Sequence, residues 1–178
     1  MELEKLIKNI AKEPTSIPFI DVNNICTHSS DVNKGSLFVA IKGFANDGHN
    51  YIQQAIDNGA SAIISDKKNS EVVFSIPNIK VENTRSVLSK LASAFYNYPS
   101  KELNIIGITG TNGKTTTASI LYSIFKANGF KCAQLGTLGT IVDGSRTTKT
   151  LTTLDPVSLH STFRKFVRTK TRIHKARR

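Results

Sequence analysis

The chain has 178 residues, enough for one domain or two small ones with a substantial core, and its composition is that of an ordinary folded protein rather than a disordered or fibrous one. Its longest apolar runs, SAIIS and NIIGI, are far too short to span a bilayer, and the N-terminal MELEKLIKNIAKE lacks the apolar stretch of a secretory signal, so no membrane partner is expected. The net charge of +11 is unevenly spread: eight of the 24 Lys and Arg residues lie in 161–178, where there is no acid, and elsewhere 16 bases face 13 acids. Such a tail holds phosphate backbones unselectively. No zinc finger, RNA-recognition motif or aromatic platform accompanies it, so no specific nucleic-acid partner is expected. Cys26 and Cys132 stand alone without ligand spacing and read as reduced structural thiols of a cytoplasmic protein.

Along the chain, residues 2–12 put Leu3, Leu6, Ile7 and Ile10 on one helical face before Pro14 and Pro18 break the pattern. Ser36–Lys42 reads as a strand entered through Asn33-Lys34-Gly35 and left through the polar, glycine-bounded loop 43–48. A helix over NYIQQAIDNGA follows, with Ile52, Ala55 and Ile56 inward and Gly59 as its stop. SAIIS and NIKVEN are further strands, with VVFS a weaker one between them. From Thr84, read as an N-cap, TRSVLSKLASAFYNY buries Val87, Leu88, Leu91 and Phe95 until Pro99. This alternation predicts an α/β fold, with a domain boundary at Pro99-Ser100-Lys101.

The second half begins with an apolar strand, LNII, then GITGTNGKTTT, then ASILYSIFKANG with apolar residues at helical spacing. Strand, glycine loop and helix in that order are the setting of a phosphate loop. Gly110 and Gly113 keep side chains away from an anion, and the amides of Gly110, Thr111, Asn112 and Gly113 onward point from a helix N-terminus. Lys114 adds a charge for the outer phosphates, Thr115 a hydroxyl for magnesium, and Thr116 extends the polar rim. The usual first glycine is replaced by Ile108. KCAQLGT is the next strand, and its turn Gly136–Gly139 falls beside the loop if the sheet is doubly wound. TIVDG is a weak Walker B candidate. After the polar DGSRTTKTLTT, Asp155-Pro156 caps a helix over PVSLHSTFRKFV with Leu159, Phe163 and Phe166 or Val167 inward. The pattern then stops, and 168–178 reads as a disordered basic tail.

TGTNGKT at Thr109–Thr115, THSSDVNKGSLFVAIKGFANDGHNYI, QLGTLGT and LTTLDP together resemble the Mur ligases, cytoplasmic ATP-dependent enzymes that build the peptide of the peptidoglycan precursor. The resemblance covers about residues 24–167. It implies a small N-terminal α/β domain for a UDP-sugar (1–99), the beginning of a P-loop doubly wound central domain (100–167), and a monomer. Within the family the chain is most similar to the branch that adds a third residue, diaminopimelate or lysine, to UDP-N-acetylmuramoyl-L-alanyl-D-glutamate through an acyl phosphate.

Residue by residue, the resemblance implies that Ser29 contacts the UDP group, with His28 and Ser30 replacing the acid and arginine usual beside it. Phe44, Ala45 and Asn46 lie where the family contacts uridine. Gly110 to Thr116 would hold ATP, Lys114 acting on the phosphates in catalysis and Thr115 also on Mg²⁺. Thr152 and Thr153 match the threonines that bind the muramoyl-peptide. Read without the family, Ser29, Thr152 and Thr153 are ordinary turn or cap residues. The family's later metal-binding segment, carbamoylated lysine and C-terminal domain have no counterpart, so the chain reads as truncated and unable to complete the ligation. A stand-alone P-loop protein and a basic nucleic-acid-binding module are the alternatives.

Overall fold

The computed structural model describes residues 1–8, 10, 19–43, 46–66, 74–142, 145–148 and 154–169. The chain divides into two compact units, Met1–Phe95 and Tyr96–Arg178.

The first unit is a parallel sheet of β1 (Asn24–Cys26), β2 (Ser36–Val39), β3 (Ala60–Ser65) and β4 (Asn78–Lys80), in that spatial order. Both central strands are almost wholly buried, which is why SLFV and ASAIIS read as continuous apolar runs. Alternation along β2 sends Phe38 and Ala40 into one layer with Cys26, Ile63 and the helix α2 (Ile52–Asp57) through Ile52 and Ala55. Leu37, Val39, Ala62 and Ile64 face the other way and are fully buried. The helices α1 (Leu3–Ile7) and α3 (Thr84–Phe95), which pack on each other, bring Leu3, Leu6, Ile7, Leu88 and Leu91 to cover them.

Several expectations need correction here. The first helix is five residues rather than eleven, and Ile10 lies in a turn beyond it. β1 was not expected at all; NIC is too short to signal a strand and forms because β2 supplies a full edge of partners. Thr84 is not the cap of α3: Asn83 Oδ1 accepts from the Ser86 amide at 2.9 Å, while Thr84 turns its hydroxyl to Asp66. Val87 and Phe95 are half-buried, with Ala92 taking the inward place. Phe74 and Ser75 are not in a strand, and the rest of VVFS lies outside the described residues.

The second unit opens with a 3-10 turn at Pro99–Glu102, followed by 103–109, the loop, and α4 (Lys114–Ala127). β5 (Ala133–Gly136), β6 (Gly139–Val142) and β7 (Ser145–Thr148) form an antiparallel sheet, and α5 (Pro156–Arg168) closes the unit. Asp155 caps α5 through Oδ1, accepting from the amides of Val157 and Ser158, as the Asp-Pro pair predicts. Of its inward residues, Phe166 is buried and Val167 half-buried. LNII does not join a sheet among the described residues, and Ile105 and Ile106 are 51% and 53% exposed. A strand exists only where a neighbour takes up its backbone groups, and propensity alone does not provide one. TIVDG is likewise corrected: Gly139–Val142 folds back antiparallel on β5, unlike a Walker B strand, with 143–144 outside the described residues.

Candidate functional site

Gly113 is the N-cap of α4 with φ 78°, in the left-handed region, and open space lies where its side chain would be. It offers no capping side chain. The first intrahelical bond runs from the Thr117 amide to Gly113 O at 2.9 Å, so the amides of Gly113 to Thr116 lie ahead of the helical ladder. Those amides and the positive end of the helix dipole are the groups an anion at this turn would meet. Lys114 Nζ donates to Gly110 O at 2.6 Å and Thr111 O at 3.2 Å, so the ammonium lies over the loop rather than in apolar packing. Thr111, Asn112 and Thr116 are exposed around it.

The turn after β5 comes to the loop, as its place in the sequence suggests: Thr137 Oγ1 is 3.5 Å from Thr115 Oγ1. β5 is held there by Gln134 Nε2, which donates to Ser119 Oγ on α4 at 3.1 Å. A cavity of about 430 Å³ opens behind the loop, with Lys114 and Thr115 at one side and Ile106, Tyr122 and Phe163 among its apolar walls.

In the first unit, Ser29 and the loop 43–48 both follow the carboxyl ends of adjacent parallel strands, β1 and β2, where open α/β sheets take ligands. Ser29 Oγ donates to Gln54 Oε1 at 2.8 Å and Ser29 O accepts from Asn58 Nδ2 at 2.8 Å, so the residue is anchored on α2. Asn46 is exposed, and its carbonyl accepts from the Gly43 amide at 2.8 Å. Phe44, Ala45, Thr152 and Thr153 lie outside the described residues.

Two polar clusters escaped the sequence. In the first unit His49 bridges Asp47 and Asp66. In the second, Arg164 reaches from α5 to Tyr96 O, Asn97 O and Glu102. His49 and Asp66 are 17 residues apart and Arg164 is more than 60 from its partners, and no local pattern marks such pairings. Both cysteines are buried, and burial pushes the Cys26 thiol up from its ordinary value, consistent with a structural role.

Two family models match: "Mur ligase family, catalytic domain" over residues 21–96 and "Mur ligase middle domain" over 108–174. The UDP-N-acetylmuramoyl-L-alanyl-D-glutamate--2,6-diaminopimelate ligase of Bacillus velezensis is 41% identical over 93% of this chain and 34% of its own length. The ligase of that name from Phocaeicola vulgatus is 37% identical over 90% of this chain and 33% of its own. This chain thus spans about a third of the length of the curated relatives it matches. A solved ligase of the same name shares the fold, with a TM-score of 0.74 over 97% of this chain and 34% of its own, at 21% identity.

Proposed function

Because the chain belongs to the Mur ligase family, we propose that it carries the sugar-nucleotide-binding unit and the opening of the ATP-binding unit of a ligase that joins diaminopimelate to UDP-N-acetylmuramoyl-L-alanyl-D-glutamate. On this reading 1–99 binds the UDP-sugar, 100–167 begins the ATPase domain, and the protein is a cytoplasmic monomer; Arg168, read from the sequence as the start of a tail, is the last residue of α5. No described helix is long and apolar enough to cross a membrane.

The observation that carries the reading is the glycine-capped start of α4 with the Lys114 ammonium over it. Its donors fit a polyphosphate: amides ahead of the ladder, space at Gly113, and the Lys114 ammonium at the rim. The fit to Mg²⁺ is through hydroxyl oxygen. No cluster of three His, Cys, Asp or Glu among the described residues could hold a metal, so Thr115 would share the ion with phosphate oxygens and water. ATP, when bound, supplies the phosphoryl group that activates the substrate carboxylate. The chain's own part is positional and electrostatic: the loop amides orient the phosphates and Lys114 neutralises charge that spreads during transfer. Ser29 and Asn46, with Phe44 and Ala45, hold the nucleotide end of the acceptor, and Thr152 and Thr153 its muramoyl-peptide.

Calorimetric titration tests this. The 178-residue chain is expected to bind Mg·ATP and UDP-muramoyl-dipeptide saturably, and to release no ADP when diaminopimelate or lysine is added. Lys114→Ala removes charge-assisted bonds of about 1.5–3 kcal/mol, so ATP affinity should fall by roughly tenfold or more with dipeptide binding unchanged. Absence of binding to either nucleotide overturns the assignment; turnover by this chain alone overturns its incompleteness.

A further inference from the structure

His49 has a side chain only 4% exposed, yet each ring nitrogen meets a carboxylate. Nδ1 lies 2.6 Å from Asp47 Oδ1 and Nε2 lies 3.0 Å from Asp66 Oδ1. Asp47 caps the 3-10 turn Gly48–Tyr51 by accepting from the His49 amide at 3.0 Å. Asp66 follows β3, and its second oxygen accepts from the Thr84 amide at 3.1 Å and the Thr84 hydroxyl at 3.0 Å. One imidazole therefore ties together the exit of the 43–48 loop, the carboxyl end of β3 and the start of α3. The Asp66 amide is also 3.4 Å from Nε2.

The loop it serves is closed at its base. Lys42 and Asp47 form an antiparallel bridge, the Gly43 amide donates to Asn46 O, and the Gly48 amide donates to Ile41 O at 2.9 Å. A Cβ on Gly48 would stand 2.8 Å from both Ile41 N and Ile41 O, so the returning leg lies hard against the segment just past β2. Arg85 Nη2, from α3, donates to Lys42 O at 2.9 Å on the entering leg. Gly48 and Arg85 thus fix the loop to the segment past β2 and to α3, and among these contacts His49 is what fixes its returning leg to the end of β3 at Asp66.

We propose that His49 is a positioning residue: its bridge from Asp47 to Asp66 sets where the 43–48 loop stands at the carboxyl end of the sheet. Resting on the reading of that loop as a uridine contact, the bridge is a determinant of sugar-nucleotide affinity without touching the ligand.

Two variants of the full chain separate the halves of the bridge. His49→Gln keeps an amide where Nε2 reaches Asp66 and gives up the Asp47 side; His49→Asn does the reverse. Amide exchange by NMR and titration with UDP read the result. In His49→Gln the Gly43 and Gly48 amides should exchange about tenfold faster with Ile63 and Ile64 of β3 unchanged, and UDP affinity should fall by about the same factor. In His49→Asn, which gives up the Asp66 end, the loop amides and UDP affinity should respond in the same way, and the Thr84 amide should accelerate as well. Wild-type exchange at Gly43 and Gly48 in His49→Gln, or uniform acceleration of loop and β3 together, overturns the proposal. If His49→Gln fails to fold, Asp66→Asn in the same assay decides, since it breaks the bridge from the other end. A wild-type chain without UDP affinity, but with loop amides that respond as described, overturns the sugar-nucleotide reading and leaves the bridge standing.

Discussion

His160 lies on α5 with Nδ1 buried and unpartnered and its ring edge-on to Phe163, centroids 6.0 Å apart. Burial lowers its pKa from the ordinary 6.5. A base that is harder to protonate when folded leaves the unfolded chain binding more protons at low pH. Stability is therefore complete above the unfolded value of about 6.5 and is lost as pH falls through it toward the lower folded value. The urea midpoint of the second unit, followed by circular dichroism, should drop between pH 7 and pH 5. His160→Phe keeps an aromatic ring at the site and removes the titration and the unpartnered nitrogen, so it should raise the midpoint and flatten the slope; an unchanged slope rejects this account.

Among the elements, α5 does more than its sequence announces. Asn97 and Tyr98 both have left-handed backbones, φ 58° and 53°, each costing about 1–3 kcal/mol in a residue with a side chain. Arg164 holds that turn, donating from Nε to Tyr96 O at 2.8 Å and from Nη2 to Asn97 O at 2.6 Å, while Glu102 lies 2.9 Å from the same Nη2. A lysine has charge but no fork, so Arg164→Lys should destabilise the second unit by about 1–3 kcal/mol in urea unfolding, and Glu102→Gln by less. The contrast explains what could be read in advance. The Asp155 cap, the Gly59 stop and the glycine turn before α4 are local, so residues a few positions apart declare them. β1, the Asp66 end of the His49 bridge and the Arg164 clamp need partners far along the chain, and nothing in NIC, DGH or FRKF states who those partners are. LNII shows the converse, a good local strand signal with no strand pairing among the described residues.

At the scale of the whole molecule the two units are unequally built. The first buries Leu3, Leu37, Phe38, Val39, Ile63, Ile64 and Leu91 completely, whereas α4 has no buried residue and Ile120 and Ile124 are 54% and 52% exposed. Since helix stability in proteins comes chiefly from burying an apolar face, α4 is held weakly by its own packing. Urea should accordingly unfold the chain in two steps, the second unit first, with α4 amides among the least protected in hydrogen exchange. Ligands then assign the steps. Mg·ATP binding only the folded phosphate loop should raise the first transition by about 2.7 kcal/mol at a hundredfold excess over its dissociation constant and leave the other in place. UDP-muramoyl-dipeptide should raise the second transition more than the first, since Ser29 and the 43–48 loop belong to the better-packed unit. A single transition, or ATP stabilising the step that reports β2 and β3, contradicts this division of labour.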